Sequence, residues 1–275
     1  MKFAALFILI AGLLICSLLL AKDKKISWLV YYGAQADLGE IAKRDIAILE
    51  PAHFQPKKSP TSSTRWIAYL SVGEINRSRP YWPLVQNKNF IVEQNKNWPE
   101  SHRVDLRSQE WQNLLLKQII PPILAQGYQG LFLDTLDTAA YLESKDPVKY
   151  AGSKRAAVEF VKRLKQQFPG IEIFPNNALE LLADYGDAIS GVVVEDLYTR
   201  YNFQKKISDA TPAVESRERE KKLDEFTQRF HKPVLNILYA DPETPLAKTG
   251  IEKSESKGYH WFLTDIGLSR IGDSG

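Results

Sequence analysis

Hydrophobic and polar positions along the chain fall into two alternating rhythms. Short apolar runs rich in β-branched and aromatic residues recur at 28–32, 46–49, 66–72, 130–133, 171–174, 191–194, 234–239 and 260–263, each closing on a polar or acidic cluster. Near-continuous apolar runs of this length predict strands buried on both faces, as in a parallel sheet. Between the runs the period becomes helical. Trp111, Leu114, Leu115 and Ile119 make one stripe behind a cap at Ser108, and Val158, Val161, Leu164 and Phe168 make another ahead of Pro169-Gly170. Eight such runs alternating with helices over about 245 residues predict an α/β fold, a (β/α)8 TIM barrel, whose usual size is ~250 residues. An open doubly wound sheet is the alternative, but no glycine-rich phosphate turn follows Tyr31-Tyr32-Gly33.

The connections are uneven. Residues 75–107 carry Tyr81, Trp82, Phe90 and Trp98 among Asn, Lys and Pro, and read as an elaborated loop after the third strand. Residues 202–214 read as irregular chain leading into a helix over 215–230, whose charges on most faces suit a solvated outer helix. Pro121-Pro122 is expected to break the helix over 108–126, because proline lacks a donor and clashes with the preceding turn. With no internal repeat or low-complexity linker, residues 26–275 read as one domain.

The first 21 residues stand apart. An apolar run at 3–21 follows Lys2 and precedes Lys22-Asp23-Lys24-Lys25, the layout of a signal peptide or an N-terminal anchor. The expected location is therefore secreted, periplasmic or cell envelope, with membrane contact only through 3–21 if that segment is retained. The one Cys, Cys16, and the one Met, Met1, lie in it. Cleavage near Ala21 would leave no sulfur, which excludes disulfides, thiolate nucleophiles and Cys-bound metals. The remaining composition, 44% hydrophobic and 25% charged, is that of a globular protein. Its 36 Lys and Arg against 33 Asp and Glu are interspersed without a basic stripe, so nucleic acid is not an expected partner.

In a barrel of this kind the chemistry sits where strands end. The runs end on Tyr31-Tyr32, Ser71-Val72-Gly73-Glu74, Asp134-Thr135-Leu136-Asp137, Asn176-Asn177, Glu195-Asp196, Asp241 and Asp265, so carboxylates converge there. Helix capping would by itself explain Asp137, Asp196, Asp241 or Asp265. Glu74, Asp134 and Glu195 abut apolar runs, where an unpaired carboxylate is costly; functional placement is favoured for Asp134 and Glu195, while Glu74 stands evenly between function and structural pairing. The four His, at 53, 102, 231 and 260, have no metal-binding spacing, and no Gly-x-Ser-x-Gly elbow is present. No metal and no cofactor is expected. Two opposed carboxylates with aromatic walls point to glycosidic bond cleavage. A carboxylate-metal hydrolase and an inert polysaccharide-binding barrel are the competing readings.

The segments 69–74 (Tyr-Leu-Ser-Val-Gly-Glu), Tyr81-Trp82, 130–137 (Gly-Leu-Phe-Leu-Asp-Thr-Leu-Asp), Asn176-Asn177 and Val194-Glu195 resemble glycoside hydrolase family 114 and related barrels of bacterial exopolysaccharide operons. The resemblance implies a TIM barrel with endo-α-1,4-polygalactosaminidase activity on a galactosamine-containing polysaccharide. It implies Asp134 as nucleophile and Glu195 as general acid/base, with exchange of the two roles open. It also implies that Tyr69, Glu74, Asp137, Asn176 and Tyr198 line the sugar subsite; Tyr31 and Asp265, at the ends of the first and eighth runs, complete the candidate binding set. The chain departs from the family pattern at Asn177, where Gly is common, and a side chain there is expected to narrow the site.

Overall fold

The computed structural model describes residues 25–56 and 63–275; the expected leader, residues 1–21, lies outside the described residues. In chain order the strands are β1 (Trp28–Tyr31), β2 (Ile46–Leu49), β3 (Arg65–Ser71), β4 (Glu74–Asn76), β5 (Ile91–Gln94), β6 (Ser101–Val104) and β7 (Gly130–Asp134). There follow β8 (Glu172–Pro175), β9 (Val192–Val194), β10 (Thr199–Asn202), β11 (Ile207–Ala210), β12 (Val234–Tyr239), β13 (His260–Thr264) and β14 (Asp273–Ser274).

Parallel ladders join β1-β2-β3-β7-β8 in one sheet and β9-β12-β13 in another, and a bridge between Asn176 and Val193 links the two. On the other flank β1 lies beside β13, where Trp28 Nε1 donates to the His260 carbonyl at 3.0 Å. The short β14, antiparallel to β13, sits at this seam and its Ser274 hydroxyl accepts from the Trp28 amide at 3.2 Å. The spatial order of the parallel strands is thus that of the eight apolar runs. Every side chain of β1, β2, β9 and β12 is buried, as a sheet covered on both faces requires. Trp28, Phe132, Phe174 and Phe262 are among the fully buried side chains of the core.

Three connections differ from expectation. Residues 75–107 are no simple loop: β4, β6 and β5 form a three-stranded antiparallel sheet in that order, with a helical turn at Trp82–Val85. Residues 199–210 form the β10–β11 hairpin. Pro121-Pro122 does not end its helix. A π-helical stretch, Leu115–Ile119, shifts the register, so that both prolines fall in the first turn of a fresh α segment, Ile120–Ala125, where a missing N–H costs little. The charged helix runs over Ala213–Phe230, burying Leu223 and Phe226. Among the described residues no helix is long and apolar enough to cross a membrane.

Candidate active site

Parallel strands in a barrel deliver their last residues to one rim, and three of these meet. Asp134 ends β7, Asn176 follows β8 and Glu195 follows β9. The Asn176 Nδ2 donates to Asp134 Oδ1 at 3.0 Å and to Glu195 Oε1 at 2.8 Å. The opposite amide orientation would set a carbonyl oxygen against the Asp134 carboxylate, so the donor assignment follows from charge. Two acceptors on one nitrogen lie at most about 5.8 Å apart, and about 5 Å apart when each takes one of its two diverging hydrogens. Asp134 also accepts from the Tyr69 hydroxyl at 2.8 Å and from the Thr135 amide at 2.8 Å.

A collar of phenols surrounds the pair. Tyr32 stands edge-on to Tyr69 with ring centroids 4.7 Å apart, and the Tyr239 hydroxyl is hydrogen-bonded to Glu195. Burial first holds Tyr32, Tyr69 and Tyr239 far above the ordinary phenol range, reinforced at Tyr69 by Asp134, at Tyr239 by Glu195 and at Tyr32 by Tyr69 and then both carboxyl groups, so all three remain donors. The same environment acts on Glu195. Burial, then the nearby Asp134 and Asp196 charges, raise its carboxyl to about 8 against the pull of the Asn176 and Tyr239 donors.

Further acids line the mouth. Asn95 Nδ2 donates to both Glu74 oxygens at 2.9 and 3.0 Å, and the Arg103 guanidinium lies 3.5 Å away; burial still lifts this carboxyl above its usual value. Asp137 opens to the mouth while protein crowds its other sides. Desolvation first, and the Asp134 charge next, raise it to about 6. It occupies the capping position of the helix Thr138–Lys145, yet its side chain makes no capping bond. Behind Tyr69, Arg79 holds Glu50 through two bonds of 2.8 and 2.9 Å and lies 5.4 Å from the Tyr69 ring centroid.

The backbone is bent at each of the three central positions. Thr135, Asn177 and Asp196, the residues just after Asp134, Asn176 and Glu195, have φ of 60°, 52° and 56°. Left-handed geometry in non-glycine residues costs of order 1 kcal/mol each and persists only where surroundings enforce it. For Thr135 the enforcement is visible, since its hydroxyl accepts from the Gly73 amide at 2.9 Å and lies 2.8 Å from the Ser71 hydroxyl. Gly73 is required by this approach, because a Cβ there would sit 2.0 Å from the Thr135 carbonyl oxygen.

Of the residues singled out from sequence, Asp134, Glu195, Asn176 and Tyr69 are brought into one hydrogen-bonded group, with Glu74 and Asp137 beside it. Tyr31, Tyr198 and Asp265 are not. Tyr31 turns outward, its ring 5.8 Å from Phe54, and Tyr32 takes the inward direction. Tyr198 lies under the ammonium of Lys253 and near Glu220 on the Ala213–Phe230 helix. Asp265 accepts from the Gly267 amide two residues on, and from Ser269 and Arg270, organising its own loop as an Asx turn does. Sequence reasoning missed Tyr32, Tyr239 and Arg219. Tyr32 and Tyr239 are strand-end tyrosines one residue and two residues from positions that were named, so strand parity was the usable signal; Arg219 had none. Asn177 adopts the left-handed backbone that Gly favours, and its side chain accepts from the Glu195 amide at 3.2 Å. Among the described residues no group of three or more His, Cys, Asp or Glu is placed to hold a metal ion.

An α/β barrel with paired carboxylates at the carboxyl ends of its strands is the architecture of a glycosidase. The chain belongs to glycoside-hydrolase family GH114, whose profile matches residues 29–274. The structure is similar to the glycoside hydrolase domain of PelA from Pseudomonas aeruginosa, with 28% identity, a TM-score of 0.77, and coverage of 90% of this chain and 97% of that one. It shares the fold of Aspergillus fumigatus Ega3, solved as a complex with galactosamine, at 15% identity and a TM-score of 0.66 over 91% and 94% of the two chains. An uncharacterized protein of Thermotoga maritima is 23% identical over 175 residues, 59% of this chain and 50% of its own length. One from Methanocaldococcus jannaschii is 24% identical over 213 residues, 70% and 59% respectively. The chain thus spans little more than half the length of these curated relatives.

Proposed function

We propose that this glycosidase cleaves a galactosamine-type polysaccharide within the chain, with retention of anomeric configuration. The observation that carries the reading is the shared Asn176 donor, which keeps the two accepting oxygens within about 5.8 Å of each other, short of the ~6.5–9.5 Å separation of inverting enzymes and compatible with the ~5–5.5 Å of retaining ones. Asp134, oriented by Tyr69, Asn176 and the Thr135 amide, attacks the anomeric carbon. Glu195 gives its proton to the leaving oxygen, and water then resolves the glycosyl-enzyme with Glu195 as base. The switch of role has a physical cause. The Asp134 charge helps to raise Glu195, and it disappears when Asp134 becomes an ester, so Glu195 is released to act as a base.

The substrate class rests on charge and on the galactosamine bound to Ega3. Asp137 presents a carboxylate with no capping bond beside Glu74, Asp134 and Glu195, an environment suited to a sugar bearing a free ammonium. Action within the chain is supported by the exposed rings of Trp98 and Phe203, 5.5 Å apart, which extend an apolar wall along the mouth. Residues 22–275 incubated with partly deacetylated galactosaminogalactan are expected to release reducing ends, with the α-anomer first in the proton spectrum. Asp134→Asn should lower the rate by at least about 10³-fold while leaving binding intact. Equal turnover in the variant, or β-anomer first, would sink the mechanism; binding without turnover in both proteins would favour the inert polysaccharide-binding reading.

A further inference from the structure

We propose that Arg219 and Asn177 form a clasp on the peptide of Glu195 that fixes where the general acid presents its proton. The inference rests on the role given to Glu195 under the proposed function. Both residues bond the backbone of Glu195 and act through it, as positioning residues.

Glu195 stands just beyond the sheet, since the β9–β12 ladder ends at Val194 paired with Asn236. Its peptide groups therefore need partners from elsewhere. The amide of Glu195 donates to Asn177 Oδ1 at 3.2 Å, and its carbonyl accepts from Arg219 Nη2 at 2.5 Å. The same Nη2 donates to Asn177 Oδ1 at 2.6 Å, closing a triangle around the residue that carries the acid. Asn177 is itself anchored, its amide donating to the Val193 carbonyl at 2.8 Å. Beyond the triangle the chain turns sharply at Asp196, φ 56°, whose carbonyl accepts from Thr211 Oγ1 at 3.0 Å.

A bland reading makes Arg219 a counter-ion. It does lie within the field of Asp196, Asp137, Glu195 and Glu215, while Asp134, Asp196, Tyr32 and Tyr239 face Glu195 from the other elements. Yet its bonds go to a carbonyl and an amide oxygen rather than to a carboxylate. What it controls geometrically is the direction in which Glu195 leaves the strand. Displacing a catalytic group by about 1 Å can cost 10²-fold, so a clasp of this kind has leverage on the rate.

The test separates acid catalysis from folding by varying the leaving group. The phenyl and 2,4-dinitrophenyl α-glycosides of a galactosamine oligosaccharide are compared by kcat/KM, because dinitrophenolate departs without a proton and phenolate needs one. In Arg219→Gln the phenyl substrate is expected to lose about 30- to 100-fold and the dinitrophenyl substrate less than about threefold. Arg219→Lys should recover part of the loss. Asn177→Gly tolerates the left-handed backbone, removes the side chain that carries the acceptor, and should cost the phenyl substrate about tenfold. Equal losses on both substrates, or no loss in either variant, would overturn the clasp. A wild-type chain that cleaves neither substrate would overturn the reading of the site, and the clasp with it.

Discussion

At the scale of single residues, Glu195 is the group whose surroundings predict the most. Held at about 8 by burial and by Asp134, it is protonated at neutral pH and loses its proton above that point. The rate is therefore expected to fall on the alkaline side with a midpoint near 8, read from kcat/KM against pH. The same shift links to stability. The folded protein binds this proton more tightly than an unfolded carboxyl of ordinary value 4.5, so its contribution is full below 4.5 and is lost as pH rises through about 8. Glu195→Gln should lose less melting temperature than wild type between pH 5 and 9; an unchanged difference would show that Glu195 does not titrate in that window. The residues brought together here were partly visible in the sequence. Asp134 and Glu195 could be named because each directly follows an apolar run, and Asn176 because it closes another and falls in a segment that carries the family resemblance. Tyr31 was named where Tyr32 does the facing, because side chains alternate along a strand and the sequence does not say which of two adjacent tyrosines points inward. Asp265 organises the loop between β13 and β14, where there is no helix for it to cap, and Arg219 arrives from a helix whose charge pattern reads as solvated.

At the scale of elements, the eight barrel strands were legible because burial on both faces writes itself as continuous apolar sequence. The inserted sheet was not. Its strands are three or four residues long and mostly half-buried, so neither alternation nor a continuous run marks them. The hairpin β10–β11 was missed for the same reason. The junction between barrel and insertion carries its own prediction. Gly73→Ala would press a Cβ against the Thr135 carbonyl, a backbone atom that cannot move without shifting Asp134. A loss of about 3 kcal/mol in chemical denaturation is expected, with a fall in kcat beyond what unfolding explains. Wild-type stability in that variant would show that the β3–β4 corner yields more readily than its contacts imply.

At the scale of the whole molecule, the two insertions touch one another through Trp98, which follows β5, and Phe203, at the tip of the β10–β11 hairpin. Both rings are about half exposed, at 52% and 45%. If they contact sugars away from the cleaved bond, Trp98→Ala should raise KM for the polymer about five- to tenfold and leave a short aryl glycoside unaffected. Equal effects on both would place the ring in the scaffold. The seam beside β1 has a different kind of consequence. Trp28 finds its partners at His260 and Ser274, more than 230 positions away. During synthesis β1 emerges more than 230 residues ahead of these partners and waits, its edge uncovered, until they follow. Contacts so distant along the chain form slowly, and an open parallel edge can pair with neighbouring chains in the meantime. Yield in a heterologous host should thus be governed by how quickly β13 and β14 arrive, which makes dilution, low temperature and slow translation the conditions to adjust before any change to the barrel sequence.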